Sequence, residues 1–253
     1  MKKVRWSKLL TRGRAMYLAY DQGMEHGPSD FDDENVNPLD IIDIAKKGKF
    51  NGMVFQKGIA EKYNKEIRKS GVPLILKLNG KTNLFEGEPI SPQICSVSLA
   101  KKLGARAVGY TVYIGSAHEE EMAREFAKIE KEAHAFGLPV IVWVYPRGKS
   151  VKGKSKSKMM AYAARFALES GADMAKINYH GTKKDLVWAV KAAGRCKVVV
   201  AGGVKIGEGD LLKQVREVIS AGCVGIAVGR NVWQAREPLE VAGKIRGIVF
   251  GKV

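Results

Sequence analysis

Residues 170–203, SGADMAKINYHGTKKDLVWAVKAAGRCKVVVAGG, hold one complete unit of the pattern that decides the fold. Gly171 precedes an apolar run, Asp173 to Asn178. A helical pattern follows from Lys183 to Ala193, then Gly194 precedes a second apolar run, Lys197 to Ala201. The core of the second run, VVVA, is continuous rather than alternating, as expected of parallel strands covered on both faces. A glycine just past a helix supplies the left-handed residue on which many helices end.

The same unit recurs in both directions along the chain. Six further strand candidates are Met16 to Tyr20, Gly52 to Gln56, Pro73 to Leu78, Arg106 to Tyr110, Pro139 to Tyr145 and Val224 to Val228. Glu119 to Ala135, Lys158 to Ser170 and Leu211 to Ala221 read as amphipathic helices between them. Gly71, Gly104, Gly137 and Gly222 stand just before strands, as Gly171 and Gly194 do. Ser91-Pro92 reads as a helix start, an N-cap followed by Pro at the first helical position. Eight strand-then-helix units of roughly 30 residues each predict one α/β domain over 1–253. Its architecture is a (β/α)8 TIM barrel with the active site at the C-terminal ends of the strands. The competing arrangement is an open doubly wound sheet. Against it, the first turn, Tyr20-Asp21-Gln22-Gly23, lacks the Gly-x-Gly-x-x-Gly phosphate fingerprint.

Composition narrows the class. With 45% hydrophobic and 27% charged residues, the 253-residue chain is too apolar to be disordered and too long to need staples. Cys95, Cys196 and Cys223 are an odd number at wide spacing, which supports neither a disulfide framework nor a zinc site and favours a cytoplasmic location. The basic, interrupted N-terminus lacks the apolar run of a signal peptide, and no membrane association is expected. The net charge of +17 attracts polyanions of any kind. The basic residues are spread over helices and loops, with no RGG tract, aromatic RNP pattern or zinc-finger spacing, so no specific nucleic-acid partner is expected.

A barrel makes the strand ends a test, because chemistry gathers where strands run into the following loops. The eight ends fall at Asp21, Gln56, Lys77 and Asn79, Tyr110, Trp143 and Tyr145 followed by Arg147, Lys176 and Asn178, Gly202-Gly203, and Gly229-Arg230. Lys176 stands out because Met174-Ala175-Lys176-Ile177 is otherwise small and apolar. Burial disfavours an ammonium, so the amine becomes available to attack a carbonyl and form a Schiff base. The structural alternative is an ion pair with Asp21 or Asp173. Lys77 is equally placed for the same role, and spacing does not separate the two. Tyr145, one strand away, can move the proton an imine mechanism needs, or simply fill the barrel top.

Loops seven and eight offer Gly202, Gly203, Gly229 and Arg230 for an anion, the usual place for phosphate in such barrels. The alternative to this anion site is tight turns alone. The lysine-rich stretch Lys149 to Lys158 is either a solvated loop or an electropositive lid over a phosphate. Among the histidines, His134 reads as structural, and His26 faces the mouth. With no ligand-spaced His/Asp/Glu cluster, neither a catalytic metal nor a cofactor is expected.

The segments AYDQGMEHGP (19–28), VFQKGIAEKY (54–63), PLILKLNGKT (73–82), VGYTVYIGS (108–116), VWVYPRG (142–148), AKINYHG (175–181), AGG (201–203) and GIAVGRNVWQ (225–234) resemble the archaeal-type class I fructose-1,6-bisphosphate aldolase family. The likeness runs in order from the first strand to the eighth. It implies a metal-free Schiff-base lyase. Such an enzyme cleaves fructose 1,6-bisphosphate to dihydroxyacetone phosphate and glyceraldehyde 3-phosphate in glycolysis or gluconeogenesis, or condenses them. The resemblance places the Schiff-base lysine at Lys176, the tyrosine acid/base at Tyr145 and a substrate-polarising aspartate at Asp21. Gln22, Trp143, Arg147, Ala201, Gly202, Gly203, Gly229 and Arg230 fall on substrate-binding positions.

Two departures bear on substrate. Some members carry Asp-His-Gly where this chain has Asp21-Gln22-Gly23, and Ser-Gly-Gly where it has Ala201-Gly202-Gly203. The wider group includes lyases and transaldolase-like enzymes acting on other sugar phosphates, such as 2-amino-3,7-dideoxy-D-threo-hept-6-ulosonate synthase, which is the alternative activity. The resemblance further implies a homo-oligomer, in rings or stacked rings.

Overall fold

The computed structural model describes residues 4–251. Eight parallel strands, β1 (Ala15–Ala19), β2 (Gly52–Gln56), β3 (Leu74–Lys77), β4 (Ala107–Ile114), β5 (Val140–Pro146), β6 (Met174–Asn178), β7 (Lys197–Ala201) and β8 (Gly225–Val228), close into a barrel in chain order. This is the predicted TIM barrel. Pairing of β8 with β1, Ala15 opposite Gly225 and Leu18 opposite Val228, closes the cylinder and overturns the open-sheet alternative.

Alternate residues on each strand turn inward and meet in an apolar plug that includes Tyr17, Val54, Ile75, Ile141, Met174 and Val199. The outward set packs against the surrounding helices to make the larger core. Glycine at 225 lets β8 close on β1. A Cβ on Gly225 would lie 1.7 Å from the Ala15 carbonyl oxygen. The floor is the N-terminal segment: Leu9 is fully buried with the plug, and its carbonyl accepts a hydrogen bond from the Tyr17 hydroxyl at 2.9 Å. Sequence reading gave that segment only a charge.

Gly71, Gly104, Gly137, Gly171, Gly194 and Gly222 all have φ between +55° and +95°, as predicted for the turns that return each helix to its next strand. Two expectations fail. Ser91-Pro92 starts no helix. Ser91 is buried in an extended segment, where its carbonyl accepts from Asn79 Nδ2 at 2.8 Å, and the helix Val97–Lys102 is capped instead by Ser96. Strand β4 runs past Tyr110 to Ile114. Tyr110 faces the outer helices, its hydroxyl donating to Glu125 at 2.5 Å, so Thr111 is the β4 residue that reaches the barrel mouth. Among the described residues, no helix is long and apolar enough to cross a membrane.

Candidate active site

At the C-terminal ends of the strands the barrel opens into a cavity of about 450 Å³. Asp21, Gln22, Trp143, Tyr145, Arg147 and Lys176 line it, as do Ala201, Gly202, Gly203, Gly229 and Arg230, so the predicted site residues converge on one space. Lys77, the rival amine, lines it too.

The floor of the site is the Trp143 indole. It lies so close to β4 that a Cβ on Gly109 would come within 2.1 Å of two ring carbons. Glycine at 109 therefore sets how deep the ring can sit. Above it stand both lysines, Lys176 Nζ 4.8 Å and Lys77 Nζ 5.4 Å from the ring centroid. Lys77 Nζ is 3.8 Å from Asp21 Oδ2, whereas no described carboxylate oxygen comes within 4.0 Å of Lys176 Nζ. Burial pushes the Lys176 ammonium down to about 8; the Asp21 charge opposes this, and the Lys77 charge adds to it. Burial lowers Lys77 as well, with Asp21 again opposing, here through direct contact. The other suggested partner of Lys176, Asp173, is committed elsewhere. Its carboxylate meets His134 Nε2 and the Val140 amide, both at 2.8 Å. His134 is thus structural, as expected.

Tyr145 stands beside this pair. Burial, reinforced by the Asp21 charge, holds its phenol well above the usual range, so at neutral pH it is a proton donor. Two buried side-chain donors lining the cavity, Gln22 Nε2 and Trp143 Nε1, have no hydrogen-bond partner among the described residues. Both suit an oxygen-rich ligand.

Arg147 occupies one rim. Its guanidinium lies 5.2 Å from the Tyr113 ring centroid and 5.6 Å from that of Tyr145, and it donates to Glu25 Oε1 at 2.6 Å. Glu25 lies within the motif after β1, but sequence reading gave it no role. Its position one helical turn beyond Asp21 was the available signal. On the other rim Arg230 Nη1 is 3.4 Å from Asp30, and Nη2 donates to the Gly203 carbonyl at 3.2 Å. His26, at the mouth as predicted, contacts the same Asp30 at 2.5 Å.

Loop seven is shaped by a residue the sequence did not single out. Asn231, buried at the start of loop eight, donates to the Gly202 and Val204 carbonyls at 2.8 and 2.9 Å and accepts from the Ile206 amide at 2.9 Å. This holds Gly203 at φ +68°. Gly229 is required sterically as well, since a Cβ there would lie 2.8 Å from the Ala19 carbonyl oxygen.

The stretch Lys149 to Lys158 is shorter as a loop than its composition suggests. Lys149–Val151 forms a 3-10 turn, and the helix Lys156–Glu169 begins inside it, with Ser155 as its N-cap. None of its lysines lines the cavity. Among the described residues, no group of three or more His, Cys, Asp or Glu side chains is arranged to hold a metal ion.

Comparison with known proteins adds four likenesses. Residues 15–235 match the family described as DeoC/LacD family aldolase. The class 1 fructose-bisphosphate aldolase of Thermoproteus tenax is 51% identical over 243 residues, 95% of this chain and 91% of that protein. A solved archaeal fructose-1,6-bisphosphate aldolase, with its catalytic lysine covalently bound to the carbinolamine intermediate, superposes with a TM-score of 0.92 at 48% identity. That alignment covers 97% of this chain and 98% of the other. The 2-amino-3,7-dideoxy-D-threo-hept-6-ulosonate synthase 1 of Archaeoglobus fulgidus is more distant, at 29% identity over 252 residues, 100% of this chain and 92% of that protein.

Proposed function

The chain belongs to the DeoC/LacD aldolase family, and on that premise we propose that it is a class I fructose-1,6-bisphosphate aldolase with Lys176 as its Schiff-base nucleophile. The identity to fructose-bisphosphate aldolases, well above that to the heptulosonate synthase, favours this substrate over the alternative. One observation carries the choice of amine. Among the described carboxylates, Asp21 alone comes within 4.0 Å of either buried lysine, and the lysine it meets is Lys77. Asp21 supports one ammonium, Lys77, and that charge helps keep Lys176 deprotonated.

In the cleavage direction the Lys176 amine attacks the C2 ketone, and the carbinolamine loses water with Tyr145 donating the proton. The iminium draws electrons from the C3–C4 bond. Removal of the C4 hydroxyl proton, for which Asp21 is the candidate base, breaks that bond and releases glyceraldehyde 3-phosphate. Tyr145, reprotonated from water after the dehydration, protonates the enamine at C3; Asp21 releases its proton to water, and hydrolysis of the iminium frees dihydroxyacetone phosphate, restores Lys176 and returns the last proton to Tyr145. The test is incubation with dihydroxyacetone phosphate followed by borohydride. One reduced adduct per chain, on the peptide containing Lys176, is expected; label on Lys77 would overturn the assignment.

Lys77 gives a prediction of its own. In Lys77→Met the neighbouring charge is gone and Asp21 faces Lys176 alone. Both changes raise the Lys176 pKa from about 8 towards its ordinary 10.5. The acid limb of imine formation should move to higher pH, and the rate at pH 7 should fall about tenfold or more. Stopped-flow imine formation across pH 6 to 10 reads this directly. An unmoved limb would mean that Lys77 does not set the acidity of Lys176.

Arg147 on one rim, and Gly202, Gly203, Gly229 and Arg230 on the other, are assigned to the two substrate phosphates. Loss of one charge-assisted contact costs roughly 1.5 to 3 kcal/mol, so Arg147→Ala should lose about ten- to a hundredfold in kcat/KM for the bisphosphate. The preference for fructose 1,6-bisphosphate over fructose 1-phosphate should fall with it. An unchanged ratio would remove Arg147 from the site.

Residues 1–253 are read as one catalytic domain that acts on a sugar phosphate in glycolysis or gluconeogenesis, without a cofactor. Three cysteines, all free and buried, fit a reducing cytoplasm. Tyr162 and Trp188, 59% and 64% exposed on two packed helices, fit a homo-oligomer in which such side chains are covered.

A further inference from the structure

Both mouth arginines are held by carboxylates from one short segment. Glu25 takes Arg147 and Asp30 takes Arg230, so the loop after β1 reaches both rims. The Glu25 contact is the closer of the two, and it is built to open. Arg147 is 43% exposed and Glu25 22%, so the pair sits in partly screened surroundings. Glu25 belongs to the four-residue helix Gly23–His26, which buries none of its residues and has no side-chain N-cap bond. Beyond Arg147, what holds Glu25 is the Tyr113 hydroxyl, which donates to its carboxylate at 3.5 Å, and the Asn83 amide, which donates to its carbonyl at 3.0 Å; only the first must break for the side chain to swing away. Arg147, by contrast, is fixed by its stacking on Tyr113 and Tyr145.

We propose that Glu25 is a specificity-determining residue: it occupies Arg147 in place of a substrate phosphate and must be displaced before a phosphate can bind there. This rests on the assignment of Arg147 to a phosphate. A carboxylate carries one negative charge and a phosphate dianion two, so a dianion wins the exchange more readily than a hydroxyl, a carboxylate or water. The contact therefore withholds Arg147 from uncharged or weakly anionic groups, which cannot displace Glu25, and it keeps the guanidinium oriented until substrate arrives.

Inorganic phosphate is the probe, measured by calorimetric titration and as an inhibitor of fructose 1,6-bisphosphate cleavage, in the parent, Glu25→Gln, Arg147→Ala and the double variant. Gln keeps the shape of Glu but removes the charge that contests the guanidinium. Glu25→Gln should tighten phosphate about tenfold, Arg147→Ala should loosen it about tenfold or more, and the gain from Gln should vanish in the double variant. The preference of Glu25→Gln for the bisphosphate over the 1-phosphate should rise by a similar factor, because the 1-phosphate places nothing on Arg147. Phosphate affinity in Glu25→Gln that is unchanged or weaker would reduce Glu25 to a support for Arg147 and overturn the proposal. A gain that survives in the Arg147→Ala background would overturn it too, by showing that the repulsion acts elsewhere. If Arg147→Ala alone leaves phosphate affinity unchanged, the phosphate assignment of Arg147 is the part that fails.

Discussion

Lys176→Ala is expected to abolish the borohydride-trapped adduct and to lower aldol cleavage by about 10⁴- to 10⁶-fold, the scale of losing a nucleophile whose neighbours cannot act without it. The expectation depends on protonation as much as on position. At its ordinary 10.5 a lysine is almost wholly charged at pH 7, while at about 8 roughly one molecule in ten carries the free amine. Lys176 reaches that value because burial and the neighbouring Lys77 charge together outweigh the charges of Asp21 and Glu25. The same shift has a stability consequence whose sign is fixed. A lysine with a lowered folded-state pKa binds its proton more weakly folded than unfolded, so it destabilises the fold at pH 7 and ceases to do so as pH rises through the unfolded value near 10.5. Lys176→Met, which keeps the stem and removes the charge, should therefore be more stable than the parent at pH 7 by about 3 kcal/mol, with the difference shrinking as pH approaches 10.5. Urea unfolding at pH 7 and pH 10 checks it. An inactive variant with unchanged stability at both values would show that Lys176 is not desolvated. A variant that still accumulates adduct would move the nucleophile to Lys77.

The parts of this site that were legible in the sequence are those fixed by period. Inward and outward residues alternate on a strand, and a continuous apolar run announces a barrel wall, so Lys176 and Lys77 could be placed at the mouth before any contact was known. What could not be read is which amine has the carboxylate. Asp21 and Lys77 are far apart in sequence, and only closure of the barrel brings β1 and β3 near enough to settle it. Glu25 and Asn231 escaped for the same reason, since their partners, Arg147 and the Gly202 and Val204 carbonyls, belong to other loops. Strand β4 escaped for a local one. Thr111-Val112-Tyr113-Ile114, after Tyr110, favours strand, but the polar Thr111 interrupts the apolar run by which the strand is recognised. Ser91-Pro92 misled because its pattern is the right one for a helix start. Asn79 instead draws the Ser91 carbonyl into an extended bridge, a long-range bond that outweighs a local preference.

Tyr145→Phe is expected to separate the two halves of the reaction. The phenol is held in its neutral form by burial and by the nearby Asp21 charge, so what it offers at neutral pH is a proton and what it resists is losing one permanently. Such a group suits the enamine step, where a proton is delivered to C3 and then recovered from water. Removing the hydroxyl should cost about 10²- to 10⁴-fold in cleavage, the usual worth of a positioned acid/base. The ring itself should stay where it is, because Arg147 stacks over it and the neighbouring apolar plug packs against it. Imine formation loses only the help of Tyr145 in expelling water, so the borohydride adduct on Lys176 should still accumulate, more slowly. The measurement that isolates the C3 step is exchange of the C3 proton of dihydroxyacetone phosphate with deuterated water, which needs no aldehyde partner. Exchange should fall by the same factor as cleavage in Tyr145→Phe and should fall less in Asp21→Asn, since Asp21 is assigned to the C4 hydroxyl. Parent-like exchange in Tyr145→Phe would take the C3 proton away from Tyr145. If that result came with lost exchange in Asp21→Asn, the carboxylate beside Lys77 would be the group that moves it.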